Sequence, residues 1–156
     1  MTTKAQAIPE GFRGATPYLC VRGGAAAIEF YTAAFGATEL MRLAEPDGRI
    51  GHAEIRIGDA TIMLSDEYPE MEVVSPQSLG GTPVLIHLYV EDVDALFARA
   101  AAAGAIVKRA PADEFYGDRS GTLVDPFGHR WMLATHKEDI SPGEMQKRYE
   151  GLYGVK

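Results

Sequence analysis

The feature that most constrains this chain is that it says nearly the same thing twice. Read for periodicity, residues 15–67 run strand, helix, strand, strand, strand, and residues 83–136 repeat that order. Val21 matches Val90, Gly36 matches Gly104, and Ile62-Met63-Leu64 matches Trp131-Met132-Leu133, a period of about seventy residues. Two copies at such a spacing are too few and too long for a solenoid. In each copy three antiparallel strands follow one helix, so one sheet face is buried under that helix and the other is left free. The expected fold is α+β. Two tandem βαβββ modules form a cup-shaped, partly closed mixed sheet with the helices on its outer face. A concave sheet of that kind is a natural small-molecule site.

Local signals place the elements. Strands are expected at 15–21, 38–45, 50–58 and 60–67, then at 83–90, 105–110, 118–124 and 129–136. Ile28, Tyr31 and Phe35 share one face of a helix over 23–36. Val93, Leu96, Phe97 and Ala100 do the same over 91–104, with Asp92 as its N-cap. Pro46-Asp47-Gly48 and Asp125-Pro126-Phe127-Gly128 have the residues of type I turns. Residues 68–82 hold two prolines and two adjacent glycines and read as a long irregular connection; 111–117 reads as a loop. Residues 1–14 read as an N-terminal arm, 15–140 as one domain, and 141–156 as a C-terminal helix. That helix opens on Ser141, Pro142 and Glu144, a capping box with proline at the first position.

Composition excludes several function classes. A net charge of −7 gives nucleic acid no basic face to hold. No apolar run has the length of a membrane span, and the first residues lack the apolar core of a secretory signal. The single cysteine, Cys20, forms no intramolecular disulfide, and a cytoplasmic location is expected.

The stretches TPYLCVRGGAAAIEFYTAAFGA, HAEIRIGDATIMLSDE, SPQSLGGTPV, HLYVEDVDALF and FYGDRSGTLVDPFGHRWMLATHKED resemble the vicinal oxygen chelate superfamily, in its PhnB-like branch. That superfamily includes glyoxalase I, extradiol dioxygenases and the fosfomycin- and bleomycin-resistance proteins. The resemblance covers about residues 15–140 and implies the fold above and a homodimer. It also implies where metal ligands would stand in metal-dependent members: at Thr16, Met63, Leu85 and Met132 by register. A hydroxyl, two thioethers and a hydrocarbon are not the donors of a divalent site, so no metal or other cofactor is expected.

Strand alternation then nominates other groups. Tyr18 and Cys20 share a face, as do His87 and Tyr89, and both faces belong to the cup if the ligand positions do. His52 and Glu54 join them if the third strand presents that side. Tyr116, Asp118, Arg119 and Ser120 form a polar strand entrance suited to a polar or anionic ligand. His87 is the candidate general base. His129 and His136 bracket the closing strand and are not expected to be ligands. Trp131 is expected to anchor the core.

These residues lead to a metal-independent small-molecule-binding protein, with enzymatic activity left open. The alternative is a metal-dependent lyase, isomerase or dioxygenase with its site relocated to His52, Glu54 and His87. A methyltransferase ranks last, since no glycine-rich loop follows a strand to hold a methyl donor.

Overall fold

The computed structural model describes residues 4–154. The first three residues of the expected arm and the last two of the C-terminal segment lie outside that range. The chain divides between Gly80 and Gly81 into two compact units.

The first unit contains β1 (Tyr18–Val21), α1 (Gly24–Phe35), β2 (Thr38–Ala44), β3 (Ile50–Ile57) and β4 (Ala60–Asp66). Its sheet has the order β1-β4-β3-β2, with β1 parallel to β4 and the other pairs antiparallel. The alternation of β3 decides its two faces. Ala53, Ile55 and Ile57 are buried, as are Ala27, Ile28, Tyr31 and Ala34 of α1, which packs on this side. His52 and Glu54 are half-buried and Arg56 is exposed on the helix-free side. The N-terminus of α1 is capped from a distance. Asp66 Oδ1 accepts Gly23 N–H at 2.8 Å and Gly24 N–H at 3.0 Å, and its Oδ2 accepts Ile50 N–H at 2.7 Å. A carboxylate there satisfies orphan donors and meets the positive end of the helix dipole. Gly24 is required, since a Cβ would stand 2.7 Å from that of Ile50.

The connection expected to be irregular contains short ordered pieces. A 3-10 turn spans Pro69–Met71, and α2 spans Pro76–Leu79. The prolines that argued for a loop occupy the first position of each piece, where a missing N–H is harmless. Ser75 caps α2 by accepting Ser78 N–H, and Gly80 ends it at φ 83°.

The second unit contains β5 (Leu85–Tyr89), α3 (Val93–Ala102), β6 (Ile106–Asp113), β7 (Asp118–Val124), β8 (Arg130–His136) and α4 (Pro142–Leu152). The order β5-β8-β7-β6 repeats that of the first sheet, with β5 parallel to β8. Each unit is thus a βαβββ module, as the duplication predicts. Val93, Leu96, Phe97 and Ala100 of α3 are buried on a side shared with the buried Leu123, Trp131 and Leu133. Asp92 caps α3 through Ala95 N–H at 3.0 Å, as its position predicts.

Strand β6 runs further than expected. Pro111 does not end it, because β6 is a sheet edge and its register shifts between Arg109 and Ala112. The loop is only the turn 114–117. Among the described residues, no helix is long and apolar enough to cross a membrane.

Candidate functional site

The helix-free face of each sheet carries polar and aromatic groups that bond to one another. In the first unit, Tyr18 from β1 and His52 from β3 lie on the same side. The Tyr18 hydroxyl is 2.7 Å from His52 Nδ1, and His52 Nε2 is 3.4 Å from Glu54 Oε1. A neutral imidazole protonated at Nε2 satisfies both contacts: the phenol donates to Nδ1 and Nε2–H donates to the carboxylate. The uncertain face of β3 is thereby settled in favour of the Tyr18 side. Cys20 shares it, but burial, with Glu67 and Asp66 nearby, pushes its thiol up to about 11. A thiol so disfavoured as thiolate is a poor nucleophile at neutral pH.

In the second unit, β5, β8 and β7 align His87 with Met132 and Thr122, and Tyr89 with Ala134 and Ser120. The rings of His87 and Tyr89 lie 4.6 Å apart in a tilted pair, and both residues are exposed. Asp118 at the start of β7 is only 4% exposed. A carboxylate loses its hydration when buried and needs donors in exchange. Two supply them: Tyr89 donates to Oδ2 at 2.7 Å, and His136 Nδ1 donates to Oδ1 at 2.8 Å. The Tyr89 phenol is raised above its ordinary value by that hydrogen bond and by burial. His136 Nε2 lies 2.8 Å from Asp139. Flanked by Asp139 and Asp118, the imidazole is held above its ordinary value. A depression of about 480 Å³ is lined by Tyr89, Val90, Glu91, Thr135 and His136.

Further along the same face, Tyr116 and Ser120 share a hydrogen bond at 2.9 Å. Arg109 donates to Ser120 Oγ at 3.2 Å and to its carbonyl at 3.1 Å, and pairs with Glu114. Arg119 does not join them. Alternation turns it to the helix side, where it grips Asp94 at 2.7 and 2.9 Å and Asp113 at 3.2 Å. Grouping it with Asp118 and Ser120 ignored the period of the strand.

The four positions where the resemblance puts metal ligands hold Thr16 before β1, Met63 on β4, Leu85 on β5 and Met132 on β8. That donor set does not fit a divalent ion. Among the described residues, no three His, Cys, Asp or Glu side chains are grouped to hold a metal.

Two residues of this face are not among those the sequence nominates. His136 falls on the cup face by alternation, but at the end of its strand it is not expected to be a ligand. Yet the turn at 125–128 pairs Val124 with Arg130, and counting back along that hairpin puts Asp118 opposite His136. Arg109 lies within the strand expected at 105–110, but register shifts on either side of it break the alternation that would have placed it. His129 donates its backbone N–H to Asp125 at 3.0 Å, while Trp131 is buried at 1% exposure and donates to the same carboxylate at 2.9 Å.

A family model described as the Glyoxalase/Bleomycin resistance protein/Dioxygenase superfamily matches residues 15–133. The uncharacterized protein Rv0887c of Mycobacterium tuberculosis is 48% identical over 134 residues, which cover 84% of this chain and 79% of that protein. Among solved structures, TioX from a Micromonospora species superposes with a TM-score of 0.62 at 28% identity, covering 79% of this chain and 99% of that one. The Arabidopsis thaliana AT5G48480 gene product does so with a TM-score of 0.64 at 26% identity, covering 79% and 98%.

Proposed function

The chain belongs to the glyoxalase/bleomycin resistance protein/dioxygenase superfamily, and on that premise we propose that it binds a small organic molecule on a helix-free sheet face without the superfamily's chelated metal. The carrying observation is chemical. Thr16, Met63, Leu85 and Met132 replace a metal-binding set with groups suited to packing. The same faces present exposed rings and paired polar groups, with Tyr89 and His136 beside a depression large enough for a small ligand. Rings supply contact area at low entropic cost, and the fixed hydrogen-bond network orients what lies on them.

The test is a thermal-shift screen of small organic molecules in chelator-treated buffer, repeated with Zn²⁺, Ni²⁺, Mn²⁺ or Fe²⁺, alongside elemental analysis. The expected result is metal-free protein and ligands that raise the melting temperature equally in both buffers. Stoichiometric metal, lost on His52→Ala or His87→Ala, would refute this reading in favour of a relocated metal site.

A further inference from the structure

Asp139 has an odd position for a charged residue. Its side chain is fully exposed, yet its carboxylate stands 2.8 Å from His136 Nε2. It lies outside any helix or strand, in the connector between β8 and α4. Its partner is far better held. His136 Nδ1 is fixed on Asp118, which is itself buried and braced by Tyr89. A buried carboxylate on one imidazole nitrogen sets the ring's orientation and favours the protonated ring, in which the other nitrogen also carries a proton to donate. Carboxylates only accept, so an imidazole between two of them donates from both nitrogens. His136 lines the 480 Å³ depression.

We propose that His136, braced by Asp118, recognises the carboxylate of a small organic acid, and that Asp139 occupies that carboxylate's place when no ligand is bound. The inference rests on the small-molecule reading above and names the ligand class. A ligand carboxylate would make the same charge-assisted hydrogen bond that Asp139 makes. The exposed ring of Tyr89, with His87 against it, lies beside that point for an apolar or aromatic body. Glu91 stands at the same rim, while Lys137 lines a second depression that shares Glu91 and Thr135 with the first. Charge attraction alone therefore does not select an anion here; the directed N–H does. Asp139 is tethered three residues from His136, so it competes as an intramolecular ligand, and its removal exposes the site.

The test is benzoate titration of the full chain, read at the His136 ring nitrogens by NMR, with chloride at matched ionic strength as control. The chain has four histidines, and the ring signals are assigned by substitution. Asp139→Ala removes only an exposed side chain and is expected to fold. In that variant the His136 signals should shift saturably, at a benzoate concentration roughly three- to tenfold lower than in the unsubstituted chain. Benzamide, of the same shape without the charge, should not saturate them. No saturable shift in Asp139→Ala, or an affinity unchanged by it, would overturn the proposal. Benzamide binding as well as benzoate would overturn carboxylate recognition and leave the small-molecule reading standing. Failure of every ligand in the screen above would remove that reading too.

Discussion

Asp125 carries a prediction that can be worked from distances. Its carboxylate is 2% exposed. Oδ1 accepts Phe127 N–H at 2.9 Å and His129 N–H at 3.0 Å, closing the turn between β7 and β8. Oδ2 accepts Trp131 Nε1–H at 2.9 Å. Hydrogen bonds to a charged group contribute about 1.5–3 kcal/mol each, so three would total roughly 4.5–9 kcal/mol if they added. Burying the carboxylate costs several kcal/mol, which Asp125→Ala recovers. The turn donors can rehydrate, but the buried indole N–H cannot do so readily. The expected net loss is about 3–4 kcal/mol, a large part of the ~5–15 kcal/mol that holds a typical domain. Asp125→Asn keeps an acceptor for the turn but points an amide N–H at the indole N–H. It should cost about 2–3 kcal/mol. Trp131 is the chain's single tryptophan, so its fluorescence in a urea titration reports on the unit that carries it. With a slope near 2 kcal/mol/M, Asp125→Ala should lower the midpoint by roughly 1.5–2 M. In a Trp131→Phe background the Asn substitution should cost less, since the opposing donor is gone. An Asp125→Ala loss under ~1 kcal/mol, or an Asn variant weaker than the Ala variant, would refute the reasoning.

Three shorter predictions accompany it. Gly121→Ala would place a Cβ 2.7 Å from the Arg109 carbonyl oxygen, 2.7 Å from the Phe97 ring and 2.9 Å from Pro111 N; a loss of about 3 kcal/mol is expected by urea denaturation. Cys20, held up to about 11 by burial and two carboxylates, should be alkylated by iodoacetamide roughly a hundredfold more slowly at pH 7 than an unperturbed thiol. The rate should still be climbing at pH 9. His136 has a folded-state pKa above the ordinary histidine value of 6.5, so its bridge stabilises fully below that value and is lost as pH rises through the folded-state value. Asp139→Asn should lower the His136 midpoint in an NMR pH titration and flatten that arm of the stability curve.

What was legible in the sequence was what depends on period and local chemistry. The matched runs around Met63 and Met132, the helical face from Val93 to Ala100 and the cap at Asp92 are local patterns, and the elements stand there. Proline was the least faithful signal. Pro76 opened a helix turn and Pro111 sat within an edge strand, because its cost depends on which N–H the neighbours need. Strict alternation gave the sheet face of Tyr18, His87 and Tyr89. Placement failed where neighbours in sequence were taken as neighbours in space, which put Arg119 on the wrong face. The long-range partners of Asp66 and Asp118 needed register across strands, as did the role of His136. Composition and periodicity do not carry that information.

The most direct measurement is backbone-amide chemical-shift mapping of a screened ligand in chelator-treated buffer. The account predicts saturable shifts centred on His87, Tyr89, Met132 and His136, with the helix-side residues Ile86 and Leu133 little changed. Shifts confined to residues off the helix-free faces, or appearing only when a divalent metal is added, would contradict it.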